Sequence, residues 1–111
     1  MEFANRFFKK APAVTAMVLG NDSLALGFMR VAHHRGIRIP QDLSVTGFDD
    51  IPESGLVWPG LTTVAQPMRE MGRLACRKLF DLSPAATHEA IECPMRLVVR
   101  ESTGPVLPRP R

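Results

Sequence analysis

Residues 12–19, PAVTAMVL, form a short apolar run bounded by Pro12 and Gly20, and its length and boundaries predict a buried strand. Asn21 then stands where a helix N-cap would, followed by Asp22 and Ser23, and helical spacing of apolar residues begins at Leu24. Leu24, Phe28, Val31 and Ala32 share one face of that helix, while Leu26, Met29 and His33 share a nearly opposite one. A helix apolar on two sides needs two partners. Arg30, His33, His34 and Arg35 crowd its last turns, where positive charge suits the helix dipole, and Gly36 is placed as the residue after its C-cap. Residues 37–40 and a turn at Gln41 and Asp42 lead into LSVTGF, 43–48, a second strand. Two strands joined through a helical crossover lie parallel in one sheet, so the first half of the chain predicts an α/β domain.

The second half is less regular. DDIPESGLVWPG, 49–60, reads as a loop with one helical turn after Asp50, and LTTV, 61–64, as a short extended piece. Pro67 suits the first position of a helix running to about Leu82, because its missing N–H costs nothing there. Met68, Met71, Ala75, Leu79 and Leu82 form that helix's apolar face. Arg69, Glu70, Arg73 and Arg77 form its polar face, with Glu70–Arg73 and Arg77–Asp81 as surface pairs. A loop over 83–94 precedes a last strand in MRLVVRES, 95–102, and the proline-rich end, 105–111, is expected to be disordered.

Composition narrows the classes. With 111 residues and 45% hydrophobic content, the chain is long enough for a core and too apolar for a disordered segment. No run approaches the roughly 20 uninterrupted apolar residues of a membrane helix, so no membrane partner is expected. Fourteen Lys and Arg against eleven Asp and Glu give +3, but the arginines are scattered and make no basic stripe for nucleic acid. Cys76 and Cys93 stand far apart with no CxxC, which fits a reducing, cytoplasmic setting, and MEFANRFFKK lacks the apolar stretch of a secretory signal.

Chemistry in open α/β sheets sits beyond the carboxyl ends of the strands. The first strand ends at Gly20, Asn21, Asp22 and Ser23, and the second at Asp49 and Asp50. Parallel pairing opens both clusters onto one edge, where an amide and an acceptor-only carboxylate suit a polyhydroxylated or amide-bearing small molecule. The competing reading is local: Asn21 and Asp22 cap the helix, and Asp49 and Asp50 begin a turn. Adjacent His33 and His34 diverge on a helix and cannot jointly hold a metal, and two consecutive aspartates without a third ligand are a weak cation signal. Cys76 reads as a packing residue and Trp58 as a core or interface residue. With no GxSxG, GxxxxGK[ST] or GxGxxG, neither an enzyme nor a cofactor is expected.

Four blocks, PAVTAMVLGNDSLALGFMR, GIRIPQDLSVTGFDDIP, PGLTTVAQPMREMGRLA and LVVRESTG, together resemble the C-terminal part of the lactose-repressor/galactose-repressor transcriptional regulators. The resemblance covers about residues 11–104. It implies a periplasmic-binding-protein-like fold of two α/β subdomains, here incomplete, with a small-molecule effector between them. It also implies a homodimer, and operator DNA bound only through a helix-turn-helix segment outside these residues. On this likeness Asn21 and Asp49 contact the effector, a sugar or nucleobase-like metabolite, and Gln66 lies at the pocket edge. Leu26, Met29 and Val57 correspond to the dimer interface. Residues 1–10 correspond to the remnant of a preceding helix, 11–66 to the core of the effector-binding subdomain, 67–94 to a helix and loop of the other subdomain, and 95–104 to the final strand. Leu19 and Gly20 before Asn21, and Trp58 and Gly60, depart from the family pattern, so the effector's identity does not transfer. Two other functions stay open: a sugar receptor of the same fold without a DNA role, and a truncated product without ligand activity.

Overall fold

The computed structural model describes residues 2–10, 14–80 and 90–106. Strand β1 (Ala16–Val18) pairs in parallel with β2 (Ser44–Thr46), with Met17 opposite Val45, and the crossover between them is helix α2 (Asp22–His34). The strand–helix–strand unit expected from the sequence is therefore present. Gly36, at φ +71°, takes the left-handed conformation that turns the chain away from the end of α2. A single 3-10 turn follows at Pro52–Gly55, close to where the sequence places one.

The chain then returns on the other side of β2. Gly47 N–H donates to Thr62 O at 3.0 Å and Asp49 N–H to Val64 O at 2.9 Å, which lays the 61–65 segment parallel to the end of β2. Within that segment β3 (Thr63–Ala65) pairs antiparallel with β4 (Arg96–Val98). Beyond β4, Ser102 accepts from Val45 N–H at 2.8 Å through its carbonyl and donates to Val45 O at 2.6 Å through Oγ, closing the sheet from the far side.

The core lies where α2 meets β2. Ala25, Phe28, Val31, Leu43, Val45 and Leu61 are buried together. Helix α1 (Glu2–Lys9) has only eight residues and would be marginal alone. It is held by Phe7 and Phe8, whose rings lie 5.5 and 4.9 Å from that of Phe28. Arg35 fastens its outer side, donating to Asn5 Oδ1 at 3.0 Å with its guanidinium over the Phe8 ring.

Several expectations fail, most of them because few partners cover these faces among the described residues. β1 is not buried, and Val18 is 80% exposed, because the strand lies at an edge with β2 on one side. Leu24 is exposed too, whereas Met29, placed by the sequence on the second face, is buried in the chain's own core. Helix α3 (Met68–Phe80) forms as predicted but buries no residue, so Met68, Leu79 and Cys76 face solvent. The Glu70–Arg73 pair is present. Residues 12 and 13, Leu82, Asp81 with its pairing to Arg77, residues 83–89 and the tail beyond Val106 lie outside the described residues.

Candidate functional site

The segments that leave β1 and β2 converge at the carboxyl edge of the two strands. Asn21 is extended (φ −159°, ψ 168°), and its Oδ1 accepts from Leu24 N–H at 2.9 Å, so it does cap α2. The cap engages only the carbonyl end of the side chain, which leaves the amide NH2 as a donor. Asp22 N–H donates to Phe48 O at 2.9 Å, fastening the start of α2 to the end of β2. The next two residues, Asp49 and Asp50, have φ of 120° and 57°. Non-glycine residues in that region cost roughly 1–3 kcal/mol each and persist only where surrounding bonds hold them. Gln66 Nε2 donates to Asp49 Oδ1 at 2.5 Å across this edge. Asp49 and Gln66 are thus directly joined, with Asn21 on the adjoining segment, all three half-buried.

Beneath them lies a group the sequence treats as a cap. Asp22 is completely buried; its Oδ2 accepts from Ile51 N–H at 3.0 Å and Ser54 Oγ at 2.6 Å, and its Oδ1 from Thr63 Oγ1 at 2.5 Å. Burial pushes its pKa up, but the hydrogen bonds from Ser54, Thr63 and the backbone of Ile51 and Asp50 outweigh that and hold it below the usual carboxylate value. Gly47 makes room for it, since a Cβ at position 47 would fall on Asp22 Oδ1. Arg100 supports the turn from the other side, with Nη2 on Asp50 Oδ1 at 2.6 Å and Nη1 on Leu61 O at 2.8 Å. Ser54, Thr63 and Arg100 go unrecognised in the sequence because they stand 32, 41 and 50 residues from their aspartates. No spacing rule reaches so far.

Leu26, Met29 and Val57 are brought together as well. They line one groove of about 890 Å³ with Ile37, Ile39, His33, Trp58 and Pro59, and Arg30 and Arg38 add positive charge to its wall. Trp58 is not a core residue; it is 84% exposed. Among the described residues no group of three His, Cys, Asp or Glu side chains could hold a metal ion, and no helix is long and apolar enough to cross a membrane.

The family described as periplasmic binding protein-like domain matches residues 2–103. The ribose operon repressor of Halalkalibacterium halodurans is 40% identical over 95 residues, which is 83% of this chain and 28% of that protein. Among solved structures, the lac repressor dimer bound to operator and the anti-inducer ONPF superposes with a TM-score of 0.84 at 33% identity, covering 92% of this chain and 36% of that one. A LacI family transcriptional regulator from Enterococcus faecium with bound ribose gives 0.78 at 33% identity, covering 95% and 39%. The chain belongs to the periplasmic binding protein-like domain family and has that fold. Within it, the match is to the effector domain of the lactose-repressor/galactose-repressor regulators, as the four sequence blocks imply. The chain spans about a third or less of the curated relative's length.

Proposed function

We propose that this chain is the effector-binding and dimerisation unit of a cytoplasmic transcriptional regulator that senses a small polyhydroxylated metabolite, a sugar. Asn21, Asp49 and Gln66 are its contacts with the effector. Leu26 and Val57 belong to the surface that joins two copies, with Met29 buried directly behind them in the chain's own core, and operator DNA is engaged by a separate helix-turn-helix segment. The observation that carries the reading is the Asp49–Gln66 bond at the carboxyl edge of two parallel strands, on a backbone held at positive φ. A carboxylate and two amides, each half-buried, offer acceptors and donors to neighbouring hydroxyl groups on a sugar. The repressor named for the ribose operon and the ribose-bound regulator support a pentose as the first ligand to try.

The regulator works without chemistry on its ligand. Effector bound between two lobes shifts the population of their arrangements, and DNA affinity changes through the same linkage. Calorimetric titration of the chain with D-ribose tests the pocket. Binding that is lost in Asp49→Ala supports the assignment, whereas binding of equal affinity in that variant overturns it.

A further inference from the structure

We propose that Asp22 is the positioning residue of this site: its buried carboxylate holds the 49–51 turn and β3 in the one arrangement that presents Asp49 and Gln66 together to a ligand. The proposal rests on the reading of Asn21, Asp49 and Gln66 as the ligand contacts. Two consecutive non-glycine residues at positive φ, Asp49 and Asp50, need an external restraint. One restraint leads back to Asp22, whose Oδ2 accepts from Ile51 N–H at 3.0 Å just past the strained pair. On the other side Oδ1 accepts from Thr63 Oγ1 at 2.5 Å, and Thr63 begins β3, which ends at Ala65 immediately before Gln66. The two halves of the Asp49–Gln66 bond are therefore referenced to a single carboxylate.

The chemistry suits an ionised aspartate and little else. Every partner of this carboxylate is a donor: two hydroxyls and backbone N–H groups. An ionised carboxyl is acceptor-only and can serve them all as they stand, whereas an asparagine that keeps Ile51 N–H and Ser54 on its oxygen turns its NH2 to Thr63, whose hydroxyl must then swing round to accept. The charge sits at the first residue of α2, where the helix dipole favours it. Asp22 has no accessible surface, so its carboxylate is met by these protein donors and not by solvent.

The test compares Asp22→Asn, Thr63→Val and Thr63→Ser with the wild-type full chain on two readouts. One is the Gln66 side-chain amide resonance in the absence of ligand, with Asp49→Ala marking the position of a Gln66 that has lost its acceptor. The other is D-ribose affinity. Asp22→Asn and Thr63→Val are expected to move the Gln66 resonance toward the Asp49→Ala position and to weaken ribose about tenfold or more, while Thr63→Ser, which keeps the hydroxyl, restores both. Asp22→Asn added to Asp49→Ala is expected to leave the Gln66 resonance where Asp49→Ala alone puts it, because Gln66 has already lost its acceptor there. A Gln66 resonance and affinity unchanged from wild type in a less stable Asp22→Asn protein would overturn the proposal, as would a Gln66 resonance that moves further in the double variant. Should Asp22→Asn not fold, the Thr63 pair decides on the same readouts. If wild type binds no ribose, the effector reading loses its pentose, while the ligand-free Gln66 resonance still decides the role of Asp22.

Discussion

Asp22 and Thr63 stand 41 residues apart, both fully buried, and are joined by a 2.5 Å hydrogen bond from hydroxyl to carboxylate. The bond ties the start of the crossover helix to the strand that leaves the sheet for α3. The site's geometry and the stability of this half of the fold therefore share one carboxylate, so perturbing Asp22 should register in both.

The first consequence is acid sensitivity. The folded-state pKa of Asp22 lies below its ordinary 3.8, so its contribution to stability is fully present above that value and is lost as pH falls through the lower, folded one. Denaturant melts between neutral pH and pH 2 should show stability declining below about pH 4 in wild type, with a flatter acid limb in Asp22→Asn. Asp22→Ala, which strands two hydroxyls and a backbone N–H without an acceptor, should cost on the order of 3 kcal/mol at neutral pH.

Asp42 gives a contrasting case. Arg38 donates to it through Nε at 2.9 Å, through Nη2 at 2.6 Å and through its backbone N–H at 2.9 Å, and this lowers its pKa to about 2. In a carboxyl-detected NMR titration, Arg38→Ala should raise that value without reaching 3.8, because the backbone donor remains. The pair is on the surface, where solvent and salt screen it, so the melting temperature should barely move.

The glycines separate into sites of need and sites of tolerance. At Gly47 a Cβ would meet Asp22 Oδ1 and lie 3.0 Å from Leu61 Cδ2, both in packed surroundings, so Gly47→Ala should destabilise by about 1–3 kcal/mol. At Gly60 the nearest atom is Glu101 Oε2 at 2.6 Å, the far end of an exposed and flexible side chain, and the cost should be smaller. Gly72 sits mid-helix in α3 with nothing within 4 Å, so Gly72→Ala should raise the helicity of α3, by up to about 1 kcal/mol. Circular dichroism melts of the three variants check the order.

How much of this could be read from the sequence depends on the range of the interaction involved. The parallel β1–β2 pair and its crossover follow from local runs, from Asn21 as a cap and from Gly36 as a terminator, and all of these appear in the structure. Asn21 and Asp49 could be chosen from strand-end position alone. The role of Asp22 could not, because its partners come from a loop and a strand far along the chain, and a buried acceptor looks like a first-turn aspartate until they arrive. The apolar stripe of α3 illustrates the opposite limit. Periodicity reveals which face would be buried, but nothing among the described residues covers it, and Met68 and Leu79 remain exposed.

The groove beside α2 leads to the last prediction. Leu26, Val57 and Trp58 line an apolar recess next to Met29, and Trp58 keeps 84% of its surface in solvent, an unusual exposure for a large aromatic side chain. Aromatic residues in such a position are typical anchors of subunit contacts, where truncation to alanine costs about 2 kcal/mol or more. If this face joins two copies, the single tryptophan of the chain reports it directly. Its fluorescence should be water-like in dilute solution and shift to the blue as concentration rises, with a parallel rise in mass by sedimentation equilibrium. Trp58→Ala should weaken the association by about thirtyfold, and Val57→Arg, which sets a charge beside Arg30 and Arg38 across an apolar contact, should abolish it. A monomer at every concentration, with unchanged emission, would remove Leu26 and Val57 from the interface and leave the groove without a second copy to fill it.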